Sequence, residues 1–163
     1  MSFNRYSKVK YPELISYQKF LRVKMANVGD NSFTEKEVTV PADISEGKVF
    51  AIHSIEFEQP ALAASGDRFM IQVSLKEEGA EVGFDDRDLL YKHAEKLSAA
   101  ATDNQQQTRV ANFYPPLVCS KDKLFIGVTQ KTGAVKDIYI RIGFSLRWMN
   151  AQAINSLALD QLQ

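Results

Sequence analysis

From Asp137 to Met149 the chain reads DIYIRIGFSLRWM, and an apolar residue falls at every second position: Ile138, Ile140, Ile142, Phe144, Leu146 and Trp148. Tyr139, Arg141, Gly143, Ser145, Arg147 and Met149 fill the gaps. A period of two is the signature of a β-strand with one apolar and one mixed face. At ~3.3 Å per residue the strand spans roughly 40 Å, well beyond an ordinary strand. It needs neighbours of similar length and a second layer over its apolar face, which points to a β-sandwich or barrel.

The rest of the chain supplies those neighbours. Residues 17–28 alternate Leu21, Val23 and Met25 with Arg22, Lys24 and Ala26, a strand with a basic outer face. Gly29 to Ser32 reads as a turn, and Val38 with Val40 as a short strand ending at Pro41. In KVFAIHSIEFE, Phe50 and Ile52 share one parity while Ile55 and Phe57 share the other, so a β-bulge near His53 and Ser54 is needed to bring both pairs to the core. Arg68 to Lys76 and Lys123 to Thr129 alternate without fault. Val110 to Tyr114 and Leu117 to Cys119 flank Pro115-Pro116, which marks an edge or a strand end.

Between Asp85 and Ala101 the spacing changes. Leu89, Leu90, His93, Ala94, Leu97 and Ala101 recur at three and four, which predicts a helical insertion over about 86–101. Asn150 is placed to cap a last short helix with Ile154, Leu157, Ala158 and Leu162 on one side. With 163 residues the chain is one domain. The expected class is all-β: an antiparallel β-sandwich of the jelly-roll kind over 17–149, with one inserted helix, an N-terminal arm over 1–16 and a C-terminal helix or tail over 150–163.

The candidate chemistry is sparse. GKVFAIH matches the opening of the first cupin motif, but Ile55 stands where a second histidine would be and the other histidine, His93, is distant in sequence. One imidazole with scattered carboxylates is poor coordination, so no metal is expected. Cys119 is the only cysteine, which excludes an intrachain disulfide. It ends an apolar triplet after two prolines and reads as a buried inert thiol rather than a nucleophile for His93. Asp85, Asp86 and Asp88 read as acids at a helix N-terminus. No phosphate loop or nucleophile elbow occurs, so neither a cofactor nor catalysis is expected. No apolar run approaches the ~20 residues of a membrane span, and the first residues lack a secretory apolar region, so synthesis in a cytoplasm is expected.

Charge is balanced at +0 but unevenly placed. Up to Lys24 there are Arg5, Lys8, Lys10, Lys19, Arg22 and Lys24 against the single acid Glu13. Arg5, Lys8 and Lys10 interleave with Phe3, Tyr6 and Tyr11. Such an arm either touches phosphates, of nucleic acid or of lipid headgroups, or packs its aromatics on the sandwich. The apolar tail either covers its own barrel end or docks on a neighbouring subunit.

The succession KVFAIHSIEFE, RFMIQVSLKEE, DKLFIGVTQ and DIYIRIGFSLRW resembles the strands of single jelly-roll capsid proteins of icosahedral DNA viruses with internal membranes. That resemblance implies a self-assembling coat subunit without catalysis, made in the host cytoplasm and resident in the virion. Its partners would be copies of itself and other virion proteins, with no small-molecule substrate. Arg5, Lys8 and Lys10 would face an internal membrane or genome, and Ile154, Leu157 and Leu162 would clasp a neighbour. The alternative is a β-sandwich binding module for carbohydrate or protein, such as a spike or fibre component, using Tyr91, Phe113 and Tyr114. A small β-barrel enzyme ranks third.

Overall fold

The computed structural model describes residues 13–14, 19–100 and 105–160. The strands are β1 (Glu13–Leu14), β2 (Lys19–Val28), β3 (Ser32–Thr39), β4 (Lys48–Gln59), β5 (Arg68–Ser74), β6 (Leu89–Lys96), β7 (Gln107–Cys119), β8 (Lys123–Lys131) and β9 (Lys136–Trp148), followed by helix α1 (Ala151–Asp160). One sheet runs β2-β9-β4-β7, with β1 continuing the line of β2 along β9; the other runs β3-β8-β5-β6. Every ladder between these strands is antiparallel.

The pairing is nested. β5 pairs with β6, β4 with β7, β3 with β8 and β2 with β9, as if one long hairpin had been rolled up. The β4·β9 and β5·β8 ladders close the roll. This is a jelly roll, as the alternation predicts.

The long strand holds its place through parity. Ile138, Ile140, Ile142 and Phe144 are buried between the sheets, while Tyr139 on the other face is exposed. In β4 the expected bulge is present: Ile52 faces Phe144 and Ser54 faces Gly143, so His53 is one residue in excess. Phe50, Ile52, Ile55 and Phe57 consequently all reach the core. Phe57 stacks on Phe69 of the opposite sheet with centroids 5.7 Å apart. Burying such a side chain stabilises by about 1.5–3 kcal/mol.

Pro115 and Pro116 lie where β7 departs from β4, between the Asn112–Ser54 and Leu117–Ile52 pairs. β7 is an edge strand, where a missing N–H is tolerated. Asn150 caps α1 as expected, its Oδ1 accepting from Ala153 N at 2.8 Å.

The inserted helix is a correction. Residues 89–96 form strand β6, paired with β5 from Arg68–Lys96 to Ser74–Leu89. The alternating inward residues of β6 are Tyr91, His93 and Glu95, opposite Val73, Ile71 and Phe69. These are too polar to display a period of two, while Leu89, Leu90, His93, Ala94 and Leu97 happen to recur at three and four. The open edge of β5 offers a full ladder of backbone hydrogen bonds, and that tertiary pairing overrides the local spacing.

Two variants test this account by denaturant unfolding. Deleting His53 should turn Ile55 and Phe57 to solvent and abolish the cooperative transition, whereas His53→Ala, which keeps the extra residue, should fold. Phe57→Ala should cost about 3–5 kcal/mol.

Candidate assembly face

The outer face of the β2-β9-β4-β7 sheet follows directly from the alternation. Inward Val23, Ile140 and Phe57 leave Arg22 and Lys24, Tyr139 and Arg141, and Glu56 and Glu58 pointing out. Register sets them in rows: Arg22 opposite Arg141, Arg141 opposite Glu56, and Glu56 opposite Val110. Lys24 faces Tyr139 in the next row. A shallow groove of about 420 Å³ runs among them.

Three large apolar side chains stand on this face with about half their surface exposed: Phe20 (50%), Tyr139 (47%) and Val110 (54%). Arg141 spans the polar and apolar parts. It pairs with Glu56 and lies over the Phe20 ring, 4.7 Å from its centroid. Lys24 bonds Asp137 at 2.7 Å and reaches over Tyr139 at 5.5 Å. The Asp137 carboxylate holds the Lys24 ammonium above its usual value. Cations line β2 and β9 together with the rings of Phe20 and Tyr139, and acids line β4.

Among the described residues the opposite sheet presents no such face. Met70, Gln72 and Ser74 of β5 point outward yet are buried. The segment 75–88 folds back over them: Gln72 Nε2 donates to Ala80 O at 2.9 Å, and its Oε1 accepts from Val82 N at 3.1 Å. Phe33 lies so closely on Gly127 that a Cβ there would stand 2.5 Å from its ring.

Of the residues singled out in the sequence, Arg5, Lys8, Lys10, Leu162 and the Leu157 side chain lie outside the described residues. Ile154 is buried within the single chain. Asp85, Asp86 and Asp88 precede a strand, not a helix. Tyr91 and Phe113 pack edge to face, 5.9 Å apart, against the core, so with Tyr114 they form no exposed aromatic cluster. Phe20, Arg141 and Tyr139 were visible as outward residues of their strands, but their convergence depends on the β2·β9 register.

The histidines and the cysteine occupy separate places. His53 Nε2 lies 2.7 Å from Ser145 Oγ, and burial, then Arg147, holds its imidazole below the usual value. His93 Nε2 lies 3.2 Å from Gln59 Oε1, in a cluster where Arg109 bonds Glu95 at 2.9 Å and closes the gap between β6 and β7. Burial first, then Arg109, also lowers the His93 value, against the pull of Glu95. Cys119 is buried and its thiol is pushed up to about 12. It pairs with Phe50 at one end of β4 while His93 bonds Gln59 at the other. At ~3.3 Å per residue these ends lie roughly 30 Å apart, which excludes a thiol–imidazole pair.

No protein-family model matches the chain, and no curated protein matches it in sequence. Among solved structures it is similar to VP1 of Trichodysplasia spinulosa-associated polyomavirus, with a TM-score of 0.60 and 10% identity over 85% of this chain and 99% of that one. The resemblance to viral jelly-roll capsid proteins is therefore supported at the level of the fold.

Both imidazoles are held neutral by burial, so protonation favours the unfolded chain. Their contribution to stability is complete above the unfolded value of about 6.5 and is lost as pH falls below it. Between pH 7.5 and 5.5 the Tm should fall, and less so in the His53→Gln/His93→Gln variant; equal falls would exclude the imidazoles. Cys119 should resist a thiol reagent at pH 8 until denaturant is added.

Proposed function

We propose that this chain is a self-assembling coat subunit of a virion and carries no catalytic activity. The observation that carries this reading is the shared fold with a viral VP1 along nearly the whole length of that chain. The open sheet face supports it. One sheet is roofed by the protein's own segment, while the other leaves Phe20, Tyr139 and Val110 exposed beside a cationic stripe on β2 and β9 and an acidic stripe on β4. A second copy turned by two-fold rotation sets the cations of each against the acids of the other, the condition for an isologous contact. The partners are copies of itself and other virion proteins, and the place of action is the virion.

The arm, with Arg5, Lys8 and Lys10, serves assembly rather than folding, toward an internal membrane or the genome. The tail beyond Ile154, with Leu157 and Leu162, serves as a contact with a neighbouring subunit, while Ile154 itself anchors the tail on its own chain.

Light scattering after size-exclusion, with negative-stain images of each peak, tests the reading. Concentration-dependent oligomers or shells are expected, and a strict monomer at every concentration and salt would overturn it. Phe20→Asp and Tyr139→Asp should weaken association at least tenfold while leaving the Tm within about 3 °C. Deleting residues 1–12 should leave the fold intact and weaken assembly.

A further inference from the structure

The segment 75–88 that roofs β5 carries a second feature. The β5·β6 hairpin brings its two ends together, with Leu75 N donating to Asp88 O at 2.8 Å. This places Glu78, near the start, beside Asp86 and Asp88, near the end. One carboxylate oxygen from each lies within 4.8 Å of the others. The backbone is pinned from outside: Glu35 accepts from Glu78 N at 3.2 Å and from Gly79 N at 3.0 Å.

Glu78 is the anomaly. Its side chain is only 7% exposed, and its Oε1 is fully shielded yet takes no hydrogen bond among the described residues. The Lys76 ammonium stands 3.8 Å away, beyond hydrogen-bond reach, and bonds Asp88 at 2.8 Å instead. Burial, followed by the charge of Asp86, pushes the Glu78 carboxyl above its usual range, and Lys76 offsets this in part. A buried acceptor without a hydrogen bond, whose one nearby cation is bonded to Asp88 instead, is costly unless something compensates it.

We infer that Glu78, Asp86 and Asp88 form a binding site for a divalent calcium ion. The donors are all hard oxygens, which select calcium, magnesium or manganese over the thiophilic metals. Two oxygens about 2.4 Å from one calcium ion are at most about 4.8 Å apart, so the three oxygens lie close enough to share one ion. Magnesium usually keeps several waters and takes only one or two carboxylates, so a three-carboxylate set favours calcium. Three carboxylates outweigh the charge of the ion, and Lys76 is the resident competitor that swings to solvent when the ion enters. Bound calcium would fasten both ends of the roof to each other.

Calorimetric titration with CaCl2 and thermal unfolding, on full-length protein stripped with chelator, test this. Saturating CaCl2 should raise the Tm of the wild type and of Glu77→Gln, whose acid is exposed nearby, by about 5 °C. Glu78→Gln and Asp86→Asn should lose that rise and bind at least tenfold more weakly. Without calcium, Glu78→Gln should be no less stable than wild type, since it removes a buried charge that Lys76 compensates only in part. Lys76→Met should bind several-fold more tightly, a result that a purely structural cluster does not produce. No Tm rise in the wild type, or an equal rise in Glu78→Gln, would overturn the site. So would unchanged or weaker binding by Lys76→Met.

Discussion

One surplus residue sets the rest of the sandwich in order. His53 interrupts the pairing of β4 with β9 and reverses the parity of the strand at that point. β4 is flanked by β9 on one side and β7 on the other, so it has no solvent edge along which to correct a misplaced face. Without the bulge, either Phe50 and Ile52 or Ile55 and Phe57 would point away from the second sheet. Each pair is worth about 3–6 kcal/mol of burial, comparable to the whole net stability of a domain this size. A locally irregular ladder is the smaller cost. The outward orientation of Glu56 and Glu58 is fixed by the same reversal.

The two sheets solve the problem of their outer faces in opposite ways. The β3-β8-β5-β6 sheet hides Met70, Gln72 and Ser74 under residues 75–88, and Gln72 bonds the roof much as a strand backbone would. Its neighbour keeps a face of opposite charges and aromatics, wet in the monomer and well suited to burial against another surface. Lys24 and Arg141 keep that face soluble while pairing locally, with Asp137 and Glu56, so these charges carry their partners with them when the face is covered.

Much of this was legible because strand alternation is a strict rule in a two-layer protein. The long strand, the bulge, the edge prolines and the cap at Asn150 could all be read from side-chain type and spacing. β6 was not, because an edge strand closing a sandwich through Tyr91, His93 and Glu95 carries no apolar period of its own. The candidate assembly face was legible by halves. The outward residues of each strand were evident, but Phe20 meets Arg141, and Arg141 meets Glu56, only through the order of strands in the sheet. The Glu78 cluster was hidden for a related reason. Asp86 and Asp88 drew notice as neighbours in sequence, whereas Glu78 joins them only once β5 and β6 pair.

The nested ladders also dictate when each part of the molecule can exist. During synthesis β5 and β6 are the first partners to be complete, then β4 with β7, then β3 with β8. β2 waits longest, since Phe20 needs Gly143 and Arg22 needs Arg141. At ribosomal speeds of about 5–20 residues per second, several seconds separate the emergence of β2 from that of its partner. The charged and aromatic face is therefore assembled last, by the strand that completes the roll. A nascent chain lacks that surface until β9 is in place, so whatever the face binds can meet only a finished molecule.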